Sequence, residues 1–138
     1  MKIVKFFVLA LLPMFMSCAE MVSSCAEKND ELTDLEGKVA IRIQNLSVFR
    51  FENIVTNIDG KERRFNTLPP LCISKYQFVD YAYRYAFVEL RINGEVATLQ
   101  PFDFFGETQL VSGYYTYQIN TTNSTNRFSR ISLTLVED

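Results

Sequence analysis

The sequence predicts an all-β domain, most simply an antiparallel β-sandwich of about eight strands. Three observations carry this prediction: short runs in which apolar and polar residues alternate, turn residues every eight to twelve positions, and no alternation of strand and helix patterns. The 138 residues suffice for one domain, and 48% hydrophobic against 22% charged residues is typical of a chain that folds. A small closed β-barrel is the alternative, because eight strands can also close on themselves.

The first half of the domain contains three expected strands. Residues 38–44 alternate, with Val39, Ile41 and Ile43 on the apolar face. The next two runs cover residues 48–56 and 62–68, and Pro69-Pro70 ends the second of them because proline donates no hydrogen bond to a sheet.

The second half supplies the other strands, over residues 72–79, 82–92, 95–100, 114–120 and 128–136. In the longest of them, Ala86, Val88, Leu90 and Ile92 form the predicted core face. Asn93-Gly94 follows, and this pair favours a type I′ hairpin turn because both positions need positive φ.

The N-terminus has the features of a secretory signal. Lys2 and Lys5 precede an uninterrupted apolar run over residues 6–16. Eleven helical residues rise only about 16 Å, roughly half of the hydrocarbon core of a bilayer. A cleaved signal peptide is therefore expected rather than a membrane-spanning helix.

The sequence after this run resembles the acylation site of bacterial lipoproteins, and it occurs twice. Ser17-Cys18-Ala19-Glu20 is repeated seven positions later as Ser24-Cys25-Ala26-Glu27. Cys25 fits the consensus better, whereas Cys18 directly follows the apolar run and avoids placing charged Glu20 in the membrane. Either residue is a candidate lipid-attachment site, and a plain secreted protein with paired cysteines is the further alternative.

These observations divide the chain into three parts. Residues 1–17 are the expected signal peptide, or 1–24 if Cys25 is acylated; residues 18–36 form an acidic flexible tether; residues 37–138 form the β-domain. With Cys18 acylated, Cys25 and Cys72 could pair, although nothing local favours that closure. With Cys25 acylated, Cys72 is a lone buried hydrophobe. Neither alternative predicts a disulfide framework.

The composition excludes several functions. The chain has no histidine, which removes imidazole catalysis and zinc sites that use histidine. Its net charge of −2 is far from the basic excess of a nucleic-acid-binding protein. We expect no cofactor, no metal and no nucleic-acid partner, and we expect a binding or accessory module rather than an enzyme. An acid/base pair of Asp103 and Glu107 in a glycan hydrolase is the alternative, set against a structural role for this loop.

Tyrosine and phenylalanine supply the other candidate site. Tyr83, Tyr85 and Phe87 share one face of an expected strand, and Tyr115 and Tyr117 share a face of another. If exposed, these rings would form a platform for protein or glycan; if buried, they are ordinary sheet-stabilising aromatics.

Several segments carry a family resemblance. Ser74-Lys75-Tyr76-Gln77-Phe78, Ala82-Tyr83-Arg84-Tyr85-Ala86, Gln100-Pro101-Phe102-Asp103, Phe105-Gly106-Glu107 and Gly113-Tyr114-Tyr115-Thr116-Tyr117 together resemble small, uncharacterised Bacteroidetes-type lipoproteins with an immunoglobulin-like or transthyretin-like sandwich. The acidic segment over residues 25–31 is similar to the one that follows the acylated cysteine of these lipoproteins and directs them to the cell surface, which favours Cys25. The resemblance implies an outer-membrane lipoprotein of the cell envelope, periplasmic or surface-exposed, and it implies no activity.

Overall fold

The computed structural model describes Cys25, residues 34–102 and residues 107–138. Eight strands lie within them: β1 (Val39–Asn45), β2 (Glu52–Asn57), β3 (Glu62–Phe65), β4 (Gln77–Val79), β5 (Phe87–Ile92), β6 (Glu95–Leu99), β7 (Gly113–Thr121) and β8 (Ile131–Glu137). They form two four-stranded sheets with a shared core, which confirms the predicted β-sandwich over the closed-barrel alternative. The described part of the chain contains no helix long and apolar enough to cross a membrane.

The first sheet has the strand order β4-β1-β7-β8. Its central pair, β1 and β7, is parallel over its whole length, from Val39 opposite Gly113 to Asn45 opposite Ile119. All other strand pairs between the named strands are antiparallel. No hairpin fixes the relative direction of β1 and β7, because β2 to β6 lie between them in the sequence. Alternation of residues therefore could not predict this pairing.

The second sheet has the strand order β3-β2-β5-β6. The hairpin between β5 and β6 turns at Asn93 and Gly94, whose φ angles of 52° and 79° confirm the predicted type I′ turn. Strand β2 has a bulge between Glu52 and Val55, with Asn53 at a positive φ of 49°. The bulge shifts the register between β2 and β5.

The core lies between the sheets and follows the predicted alternation. The predicted faces of β1 and β5 are buried, as are the core side chains Phe51, Ile54, Tyr117 and Ile119 from neighbouring segments. Ala40 on the opposite face of β1 is also buried. Strand β1 is paired on both edges and lies with β7 at the centre of the first sheet, and Arg42 and Gln44 on its outer face are half-buried.

Six of the eight strands are shorter than predicted, and three of these begin at least four residues later than expected. The expected strand over residues 82–92 begins only at Phe87, those over 48–56 and 72–79 begin at Glu52 and Gln77, and an irregular segment precedes each of them. Ala82 and Ala86 are nevertheless almost fully buried. Alternation therefore predicted which side chains face the core, although the backbone of residues 80–86 leaves the sheet.

Candidate functional site

An open cavity lined by aromatic rings lies at one end of the sandwich. Its volume is about 520 Å³, and its lining residues are Asn57, Ile58, Gly60, Tyr81, Tyr83, Tyr85, Phe87 and Gln100. Four of the eight carry aromatic rings, two carry amides, and none is charged. Ring faces offer apolar contact and the amides offer hydrogen bonds, so the cavity is suited to an uncharged ligand with both apolar and polar faces.

One wall of the cavity is the irregular segment before β5. The hydroxyl of Tyr117 in the core donates a 2.7 Å hydrogen bond to the backbone carbonyl of Tyr83, and the amide of Leu110 donates to the carbonyl of Ala82. The rings of Tyr81 and Tyr83 pack edge to face with centroids 5.9 Å apart. These contacts hold the backbone in place while leaving Tyr85 44% exposed.

A second part of the cavity lining comes from the turn between β2 and β3, which Asp59 organises. The Asp59 carboxylate accepts hydrogen bonds from Nε and Nη2 of Arg63, at 3.2 and 2.6 Å, and from the backbone amide of Asp80. Burial by itself raises the pKa of Asp59, but the hydrogen bonds from Arg63 and Asp80 outweigh it and leave the pKa below its usual value. The carboxylate thereby connects the turn that carries Gly60 to the segment that carries Tyr81.

The predicted five-ring platform is divided between this cavity and the core. Tyr83, Tyr85 and Phe87 line the cavity, as expected of an accessible site. Tyr115 and Tyr117 are only 4% and 0% exposed, so the prediction that they belong to the same surface is wrong. They lie on β7, an interior strand, and their side chains belong to the core cluster; burial raises the pKa of both phenols.

Only one member of the predicted acid/base pair, Glu107, lies within the described residues. Asp103 lies outside the described residues, and Glu107 lines a separate cavity of about 550 Å³ together with Arg84 and Glu137. The hydrolase alternative therefore stays a prediction. Within residues 34–102, 107–138 and Cys25, no group of three or more Cys, Asp or Glu side chains is placed to hold a metal ion.

A disulfide bond joins Cys25 to Cys72, with the two Cα atoms 5.0 Å apart. It links the expected tether to a half-cystine that is only 1% exposed. Of the two alternatives for Cys72, pairing with Cys25 is therefore the one found, and the alternative of a lone buried cysteine is wrong. The pairing is long-range, over 47 positions, and no local pattern in the sequence could reveal it. Cys18, the other acylation candidate, lies outside the described residues.

The loops around Cys72 are organised by a residue that sequence reasoning did not single out. The buried Asn45 donates from Nδ2 to the backbone carbonyls of Phe49, Leu68 and Pro69, and its Oδ1 accepts from Ser47. The backbone amide of Asn45 donates to the backbone carbonyl of Cys72. The only available signal was an asparagine at the end of an apolar strand, which more often indicates a turn.

The comparisons with known proteins support the fold and nothing finer. No family model matches the chain, and no curated protein matches it. The chain is similar to the solved NMR structure of a protein from Eubacterium rectale, with a TM-score of 0.51 and 22% sequence identity, over 75% of this chain and 94% of that one. At this identity the likeness shows a shared fold alone.

Proposed function

We propose that the protein is a lipid-anchored lipoprotein of the cell envelope, acylated at Cys18, whose sandwich is a non-enzymatic module that binds protein or glycan in the aromatic cavity. The observation that carries the proposal is the Cys25–Cys72 disulfide. A cysteine engaged in a disulfide has no thiol for acylation. Of the two cysteines that follow a small residue near the apolar run, Cys18 is then the one left for the lipid.

The disulfide also supports export. Structural disulfides form in oxidising compartments such as the bacterial periplasm and the cell surface, and are rare in the cytosol. The charged N-terminus and apolar run over residues 1–16 supply the matching signal. The acidic residues between Cys18 and the domain fit a tether to the outer membrane that leaves the domain in water.

The binding role is supported by the chemistry of the cavity. Its aromatic and amide lining carries no charge, and Tyr85 presents a ring to solvent. Four rings lie around this one cleft, and stacking of an uncharged sugar or an apolar side chain on Tyr85 would cover its exposed face.

The anchor is tested by growing cells with an alkyne fatty acid and comparing the native chain with its Cys18→Ala and Cys25→Ala variants. We expect Cys18→Ala to abolish incorporation of the label and Cys25→Ala to retain it. Incorporation that survives Cys18→Ala and disappears with Cys25→Ala would overturn the assignment. Incorporation that survives both would overturn the anchor.

The binding role is tested on a glycan array and by pull-down of purified envelope proteins, with Tyr85→Ser as the cavity variant. Phe128→Ser is the matched control, because Phe128 is an exposed ring between β7 and β8, away from the cavity lining. We expect Tyr85→Ser to weaken the strongest signal at least several-fold and Phe128→Ser to leave it unchanged. Equal signals from both variants would count against the cavity.

A further inference from the structure

The two ends of the sandwich carry different features. At one end, which we call the cavity end, β1 begins at Val39 opposite Val79 and Gly113 of its neighbours. The aromatic cavity lies here, because Asn57 and Phe87 of the second sheet line it and a Lys61–Asp80 ion pair joins that sheet's turn to the residue after Val79.

At the other end, which we call the cystine end, β1 finishes at Asn45. The amide of Asn45 donates to the carbonyl of Cys72, and its side chain binds the carbonyls of Leu68 and Pro69. The second sheet reaches the same place, since Phe51 and Leu68 form a β-bridge there. The seven residues of β1 separate the two ends by about 20 Å, at about 3.3 Å per residue.

The backbone and the disulfide attach the tether to opposite ends. By the backbone, the chain enters the domain at the cavity end, through a turn at Glu36 and Gly37 that leads into β1. By the disulfide, Cys25 is attached at the cystine end. The shortest covalent path from Cys18 to the domain therefore runs through Cys25 and Cys72, not along the backbone to Val39.

We propose that the disulfide holds the cystine end toward the membrane and thereby presents the aromatic cavity away from it. This inference rests on the proposed acylation at Cys18. Seven positions separate Cys18 from Cys25, and a coil of that length has a root-mean-square span of about 15 Å. The 21 positions from Cys18 to Val39 would span about 25 Å and would attach the domain at its cavity end.

Breaking the disulfide reverses this arrangement. A dithiol that reduces the bond supplies two electrons and two protons, leaves thiols at Cys25 and Cys72, and is itself oxidised to a disulfide. The domain is then held only through β1, on the longer tether, with the cavity end nearest to the attachment point. The accessibility of the cavity to a bulky partner therefore depends on the oxidation state of the bond.

The orientation is measured by energy transfer from a single tryptophan to a dansyl-labelled lipid, using the full-length acylated protein in vesicles. The chain has no tryptophan, so one introduced residue is the only donor of its kind. Val48→Trp places it at the cystine end, between Asn45 and Phe51, and Val111→Trp places it at the cavity end, before Gly113. The two valines are matched in exposure, at 76% and 72%.

With the disulfide intact, we expect transfer from the Val48→Trp donor to exceed that from the Val111→Trp donor at least twofold. Addition of dithiothreitol, or Cys25→Ser in both backgrounds, should equalise or reverse the two efficiencies while the protein stays on the vesicles. Equal transfer in the oxidised protein, or a difference that survives both treatments, would overturn the inference. Loss of vesicle binding by Cys25→Ser would refute acylation at Cys18 itself, and the inference with it.

Discussion

The phenol of Tyr117 lies in the core, and its hydroxyl donates a 2.7 Å hydrogen bond to the backbone carbonyl of Tyr83. Tyr117, one of the five rings expected on one surface, is therefore buried, and it positions the backbone of Tyr83. The bond fixes the irregular segment that carries three of the cavity's rings. The shape of the cavity consequently depends on a residue that no ligand could contact.

Tyr117→Phe tests this coupling, since it keeps the ring and removes only the hydroxyl. We expect a loss of about 1–2 kcal/mol in the free energy of unfolding, because the carbonyl of Tyr83 loses its donor. Denaturation with urea measures the loss, and the array signal of the same variant should fall. Tyr83→Phe is the control for the urea measurement alone, because it keeps the backbone carbonyl and removes a hydroxyl that accepts an exposed 3.4 Å hydrogen bond from Gln109. Equal stability of Tyr117→Phe and the native chain would contradict this role.

Asp59→Asn tests the carboxylate that joins the two walls of the cavity. The pKa of Asp59 is held below its usual value near 4, so its contribution to stability is complete above pH 5 and is lost as the pH falls through the lowered pKa. We expect the variant to be less stable than the native chain by about 2 kcal/mol at pH 7, the usual size for hydrogen bonds to a charged group.

The pH dependence of the stability difference between the native chain and Asp59→Asn shows whether the charge of the carboxylate or only the shape of the side chain is responsible. Urea midpoints of the two proteins should begin to converge below about pH 4, because the unfolded carboxyl then takes up a proton while the native one stays ionised, and they should meet only below the lowered pKa, where both side chains are neutral. A difference that stays constant from pH 7 to pH 3 would show that the charge of Asp59 plays no part.

Thr56→Val tests a defect in the core. Within the described residues, the Thr56 hydroxyl on β2 is buried and has no hydrogen-bond partner. Valine has nearly the same shape and no polar group to desolvate, so we expect the substitution to stabilise the domain by about 1 kcal/mol. Thermal unfolding measures the gain, and Thr98→Val is the control because the Thr98 hydroxyl accepts a 2.9 Å hydrogen bond from Arg127. A destabilised Thr56→Val variant would contradict the absence of a partner.

The titration of Tyr76 tests a cluster on the outer face of the first sheet. Burial, and then a 2.9 Å hydrogen bond donated to Asp138, raises the pKa of Tyr76 to about 12. An unfolded tyrosine titrates near 10, so the stability from this group is complete below pH 10 and is lost as the pH rises toward 12.

Subtracting the phenolate absorbance of the Tyr76→Phe variant from that of the native chain isolates the Tyr76 signal from those of the six other tyrosines. We expect the difference spectrum to titrate near pH 12 in the native background and at a lower pH in Asp138→Asn. Titration at pH 10 in both would contradict the contact. Arg42 should be left unchanged in this comparison, because it contacts both groups. Its guanidinium lies 4.6 Å from the Tyr76 ring centroid and binds Asp138.

Alternation of residues predicted the fold well because burial on one face of a strand is a local property. The alternating residues of β5 and the Asn93-Gly94 turn are where the sequence indicated them. The parallel pairing of β1 with β7, the Cys25–Cys72 bond and the bonds of Asn45 all join positions distant in the chain, and period-two patterns carry no information about them. For the same reason three of the five platform rings line one cavity while two lie in the core: alternation gives the side of a strand, but not whether another sheet covers it.

Mass spectrometry of tryptic peptides from the membrane-extracted protein, without reduction, tests the central claim most directly. Trypsin cuts after Lys28, Arg64 and Lys75, so acylation at Cys18 predicts one species in which a lipid-bearing peptide 18–28 is disulfide-linked to peptide 65–75. Reduction should separate the two and add one hydrogen to each of Cys25 and Cys72. A lipid-bearing peptide 25–28 together with a free thiol on peptide 65–75 would contradict the account.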